Sequence, residues 1–179
     1  MIEYESIILF AIPWIVYRII IICYKQNFSI RTEFIKISFY FSIIFIYCLT
    51  LFPFPFYTYP YQTGNGFQHM NLTPFASIHG ALTHFYYMVP LKNIGGNILL
   101  FMPLGFALPL RFQLQAHWKV ILYGFSLSLV VELIQLATAV RSFDVDDILL
   151  NTLGTVLGFI LYRQYTTIKA NNREEKQIS

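Results

Sequence analysis

Eight polar residues in the second half of the chain have types and spacings suited to a shared site: Asn93, Asn97, Glu132, Gln135, Arg141, Asp144, Asp147 and Asn151. They fall in three stretches, each a polar top on an apolar run. In RSFDVDDILLNTLGTVLGF (141–159), an arginine and three aspartates occupy seven residues. Asp144 and Asp147 are spaced as the N-cap and third position of a capping box, which predicts a helix start. Asp147 and Asn151 then share a face that Gly154 and Gly158 continue as a small-xxx-small strip. In VILYGFSLSLVVELIQLATAV (120–140), Gly124, Ser128, Glu132 and Gln135 line one helical face. In KNIGGNILLFMPLGFALPL (92–110), Asn93 and Asn97 are one turn apart. There Gly95 and Gly96 permit close helix approach, and Pro103 deprives the Leu99 carbonyl of its helical donor.

An acid at the centre of a membrane span costs on the order of 3 kcal/mol, so Glu132 must be paired, protonated or wetted. Arg141, Asn97 and Asn151 are its candidate partners. Glu132 and Asp147 are the two carboxylates placed to act as a general base. Each residue also has a structural reading: the aspartates as helix caps, the asparagines as interhelical hydrogen-bond glue. His69, His79 and His84 are irregularly spaced, and no metal site or cofactor is predicted from them. Asn71-Leu72-Thr73 has the form of a glycosylation acceptor, but a proline follows it. Nucleophile-elbow, P-loop and metalloprotease-helix motifs are absent from the sequence.

The elements that must hold these residues are membrane helices. The 179-residue chain is 56% hydrophobic and 12% charged, with a mean hydropathy of +0.57. A soluble domain carries roughly twice that charge. Five apolar runs approach the 17–25 residues that cross a bilayer: 6–24, 37–57, 93–110, 120–140 and 147–162. The expected fold is therefore an all-α integral membrane protein of about five spans. Nine basic residues against two fall on one side if the first, third and fifth spans end inside. That bias predicts an external N-terminus and a cytoplasmic C-terminus, with Arg18 snorkelling from the first span. The polar cluster would then face the cell exterior. MIEYES lacks the basic start of a signal peptide, so the first span is expected to be retained.

LFPFPFYTYPYQ (51–62) fits an aromatic belt at the outer interface. In the loop that follows, Thr73-Pro74 is a predicted N-cap and first-position pair. The helix it opens would lie on the outer surface, with Phe75, Ile78, Leu82, Phe85 and Val89 along one side. The polar tail after Arg163 is expected to fray. Cys23 and Cys48 lie within apolar runs and read as packing residues. The charge of +3 is spread among loops and tail, which excludes a nucleic-acid stripe. The organisation expected is two N-terminal spans and the aromatic segment (1–70), a three-span core (71–162) and a tail (163–179).

Four motifs in order, NLTPF (71–75), NIGGNILLFMPLGFALPL (93–110), SLVVELIQ (128–135) and RSFDVDDILLNTLGTVLGF (141–159), resemble the VanZ-like membrane proteins. The resemblance spans about half the chain, 71–162. It implies a small multi-pass protein of the bacterial cell membrane, in a family named for a member that gives low-level resistance to the glycopeptide teicoplanin. The family has no agreed enzymatic activity. The expectation is a non-enzymatic protein whose outward polar pocket binds or alters a lipid-linked envelope precursor or a lipoglycopeptide, with membrane lipids as its surroundings. A membrane enzyme using Glu132 or Asp147 as base is the alternative, and a transporter or flippase ranks third because the inner halves of the helices carry few polar groups.

Overall fold

The computed structural model describes residues 4–25, 29–51, 70–114, 116–138 and 142–178. Within these the chain is helical, apart from one isolated parallel bridge between Asn71 and Asp144. The elements are α1 (Tyr4–Lys25), α2 (Ile30–Thr50), α3 (Ala76–Leu82), α4 (Met88–Pro90), a π-helical turn (Leu91–Gly95), α5 (Gly96–Phe112), α6 (His117–Thr138) and α7 (Val145–Ile178). Helices at 30–50, 88–112, 117–138 and 145–176 are long and apolar enough to cross a membrane, and a shorter apolar stretch, 12–21, lies in α1. The aromatic segment, His69 and Arg141 lie outside the described residues.

Glycines bring α5 and α7 together. A Cβ added at Gly154 or Gly158 would overlap the carbonyl oxygens of Ile98 and Met102, and one added at Gly105 would overlap that of Thr155. The two backbones are therefore in contact, which is how helices associate where lipid removes the hydrophobic driving force. Thr155 also fills the notch that Gly124 leaves in α6. On its other side α5 presents Leu100, Phe101, Leu104 and Leu108, which form the core with Ile46, Leu51 and Val131. Gly95 and Gly96 do not serve close approach as expected. A Cβ at Gly96 would meet nothing within 4 Å, and one at Gly95 only the Leu91 side chain at 3.6 Å.

Four threonine hydroxyls in these spans are satisfied within their own helices. Thr50, Thr138, Thr152 and Thr155 each donate to the carbonyl four residues back, at 2.7–3.1 Å. This removes the cost of an unpaired hydroxyl without a second helix. α1 is peripheral. It is held to α2 by stacking of Trp14 on Tyr40, centroids 4.4 Å apart, and by Arg18. Arg18 does not simply snorkel: its guanidinium pairs with Glu33 of α2, whose other oxygen takes Lys36 at 2.8 Å.

Three expectations change at helix ends. α2 starts at Ile30, seven residues before the predicted 37, because Arg31, Glu33 and Lys36 join its first turns. The surface helix expected from Thr73 starts at Ala76 and stops at Leu82. There Thr83 donates its hydroxyl to the His79 carbonyl at 2.9 Å, and the next helical turn waits until Met88. Finally, the tail does not fray: α7 continues through 163–178 to Ile178. Extending an existing helix needs no new nucleation, and this segment is rich in Arg, Lys, Glu and Gln.

The glycine seam makes a testable distinction. Gly158→Val should lower the melting temperature of the purified protein or abolish its monodisperse peak, since overpacking costs about 1–3 kcal/mol or more. Gly96→Ala should leave the melting temperature unchanged or raise it. Equal behaviour of the two variants would contradict backbone contact between α5 and α7.

Candidate functional site

The N-terminal ends of α5 and α7 lie side by side because of the glycine seam, and around them a cavity of about 370 Å³ opens at one end of the bundle. One wall is Lys92, Asn93 and Asn97, on the π-helical turn and the first turn of α5. Another is Asp144, Asp146 and Asp147, at the start of α7. Ser77 and Ile78 of α3 and the end of α2 complete it. Clustering the acids at a helix N-terminus is favourable, because the macrodipole puts partial positive charge there.

Each aspartate has its own task. Asp144 is the N-cap: its Oδ1 accepts the N–H of Asp146 at 2.9 Å. The same oxygen accepts Asn71 Nδ2 at 2.9 Å, and Oδ2 accepts the Ser77 hydroxyl. Backbone bonds from Asn71 N–H to the Phe143 carbonyl (2.9 Å) and from Val145 N–H to the Asn71 carbonyl (3.1 Å) tie the segment 70–75 that leads into α3, the strap, to the start of α7.

Asp146 is fully buried. Its carboxylate reaches across to α3 and accepts the N–H groups of Phe75 (2.6 Å), Ser77 (2.8 Å) and Ile78 (3.2 Å). It caps a helix about seventy residues earlier in sequence. Phe75, the residue before α3, sits in the left-handed region at φ 67°, a strained conformation for a bulky side chain. Its bond to Asp146 helps to hold it there. Asp147 faces α5, where its Oδ1 accepts Asn97 Nδ2 at 2.5 Å.

Glu132, Gln135 and Asn151 lie off the cavity walls. Glu132 is 2% exposed and its Oε2 accepts the N–H of Asp144 at 3.0 Å. It thus fills, from α6, the place a capping box gives to the third helical residue. Gln135, equally buried, donates to the Thr50 carbonyl at 2.8 Å and satisfies the end of α2. Asn151 turns towards α6, donating Nδ2 to Ser128 Oγ at 2.9 Å. Asn97 and Asn151, both candidate partners of Glu132, are thus bonded to Asp147 and Ser128. Of the eight, the cavity gathers Asn93, Asn97, Asp144 and Asp147, while Glu132, Gln135 and Asn151 support it from behind. The face shared by Gly124, Ser128, Glu132 and Gln135 is buried along its length.

Sequence reasoning passed over Asp146, Ser77, Lys92 and the side chain of Asn71. Only the density of acids in DVDD and the NLTPF motif pointed towards them. His84 Nδ1 accepts the N–H of Tyr86 at 3.1 Å. Among the described residues no group of three or more His, Cys, Asp or Glu is arranged to hold a metal.

Chemically, the carboxylate oxygens of Asp144 and Asp146 are taken up by donors on the segment around Asn71 and on α3. Asp147 with Asn97, the exposed amide of Asn93 and the ammonium of Lys92 form the wall able to meet a polar ligand. Asp146→Ala should strip three backbone donors of a charged acceptor, each such bond being worth about 1.5–3 kcal/mol. Amide hydrogen exchange across 75–78 should rise sharply, with little change in the middle of α5. Unaltered exchange there would show that Asp146 does not hold the strap.

Over 93 residues the chain is 32% identical to Protein VanZ of Enterococcus faecium, covering 52% of this chain and 52% of that one. The chain therefore spans about half the length of this relative. No solved structure matches it. The model of the VanZ/LLP1 family matches residues 39–168, which takes in α5, α6, the strap, the acidic start of α7 and most of α2, and the chain belongs to that family.

Proposed function

We propose that this chain is a VanZ-like protein of the bacterial cell membrane whose polar cavity opens to the outer leaflet and receives the polar part of a lipid-attached ligand. The observation that carries this reading is the position of the cavity. It lies at the end of a bundle of apolar helices, beside a surface on which Leu72, Phe75, Leu82, Phe85 and Tyr87 are each more than half exposed. A ligand lying there meets apolar side chains and hydrogen-bonding groups together. That suits an envelope precursor on a lipid carrier, or a glycopeptide bearing an acyl chain.

Lys92 supplies positive charge to the ligand, and Asn93, Asn97 and Asp147 supply donors and acceptors. Glu132 keeps the start of α7 in register through Asp144. The positive-inside bias supports an outward cavity, with the N-terminus outside and the C-terminus in the cytoplasm. The relative named Protein VanZ supports a contribution to teicoplanin tolerance as the cellular outcome.

A second reading, a membrane enzyme on the same ligand, is favoured by Asp147. It lines the cavity as a carboxylate already hydrogen-bonded to an amide, which suits a positioned general base better than Glu132 behind the wall.

The deciding experiment expresses the protein in a Gram-positive host and measures susceptibility to teicoplanin and vancomycin. Wild type should raise tolerance to teicoplanin and not to vancomycin. Asn97→Leu and Glu132→Ala, at equal abundance in membranes, should lose the effect. No difference between wild type and empty vector would sink the proposal. Asp147→Asn separates the two readings: a binding protein should keep most of its effect, whereas an enzyme relying on this base should lose at least a hundredfold in rate.

A further inference from the structure

The opposite end of the bundle carries a second groove, of about 510 Å³, between the start of α6 and the far part of α7. Phe159, Ile160 and Ile168 give it apolar walls, and His117, Arg163 and Thr167 its polar rim. Arg163 Nη1 lies 2.6 Å from His117 Nε2. A guanidinium has donors only, so Arg163 donates and His117 Nε2 accepts. The imidazole is also held edge-on by Phe159, centroids 5.1 Å apart.

Among the described residues the salt bridges are those of Glu33 with Arg18 and Lys36, and no described acid is paired with Arg163. It donates to His117, and the guanidinium rests against the imidazole beside apolar walls. Its depth is also telling. Arg163 lies sixteen residues along α7 from Asp147, a rise of about 24 Å, where a hydrocarbon core is about 30 Å thick. With Asp147 near one surface, Arg163 falls near the opposite headgroup layer. Arg111, Lys119 and Lys169 belong to the same end of the bundle.

We infer that this groove binds an anionic phospholipid, with the headgroup phosphate on Arg163 and an acyl chain running back along Phe159 and Ile160. A guanidinium matches phosphate with paired donors, and apolar walls continuous with the lipid-facing surface suit a chain that a free phosphate lacks. The groove is separate from the cavity at the other end, so the inference stands apart from the function proposed for that cavity.

Native mass spectrometry of the full chain, released from nanodiscs of mixed phosphatidylglycerol and phosphatidylcholine, tests this. One phosphatidylglycerol per chain should be retained in preference to phosphatidylcholine. In Arg163→Gln the retained fraction should fall by about tenfold or more, in line with loss of charge-assisted bonds, while Arg173→Gln on the exposed tail should match wild type. Equal retention of both lipids by wild type, a result that requires no variant to fold, would overturn the inference. So would undiminished retention by Arg163→Gln, or displacement of the lipid by millimolar inorganic phosphate.

Discussion

The contact of α5 and α7 backbones through Gly105, Gly154 and Gly158 is the constraint on which the rest depends. In hydrocarbon two helices gain little from apolar burial, because lipid tails offer the same contact. Close approach lets dispersion act along the whole seam, and it fixes register as well as distance. Asn97 meets Asp147 because the carbonyls of Ile98 and Met102 are already seated against Gly154 and Gly158. α6 is then keyed to α7 by Thr155 in the notch of Gly124 and by the bond of Asn151 to Ser128.

The acids above this seam divide between architecture and exposure. Asp146 is wholly buried, and Asp144 is bonded to the strap and to its own helix. Their oxygens are satisfied by N–H and hydroxyl donors, as buried polar groups must be. Glu132 extends the same logic one helix further, since its oxygen satisfies the N–H of the cap residue itself. What remains towards the cavity is a mixed wall of amides, one aspartate and one lysine.

Much of this was legible because it depends on local period. The polar face of α6 follows from spacings of three and four, and the Gly154–Gly158 strip from a spacing of four. The number and type of spans follow from apolar length. The unread features involve partners distant in sequence. Nothing around Asp146 says that its acceptors serve Phe75, Ser77 and Ile78, because backbone donors have no residue signature. For the same reason Thr73-Pro74 was a plausible start for α3, whose actual cap comes from α7. Gln135 likewise bonds a carbonyl of α2. Gly95 and Gly96 look, in sequence, as suited to close packing as Gly105, and only the neighbour each one faces tells them apart.

The long-range cap of α3 carries a consequence for biosynthesis. A seven-residue helix is far too short to persist alone, and Phe75 must hold a disfavoured left-handed angle at its mouth. The carboxylate that stabilises both is made 71 residues after Phe75. During translation the strap therefore exists for a time as an uncapped segment at the membrane surface, while α5 and α6 are inserted. It locks only when the start of α7 arrives. The order of synthesis thus makes the strap wait for its cap, although it precedes three of the long apolar helices in the chain.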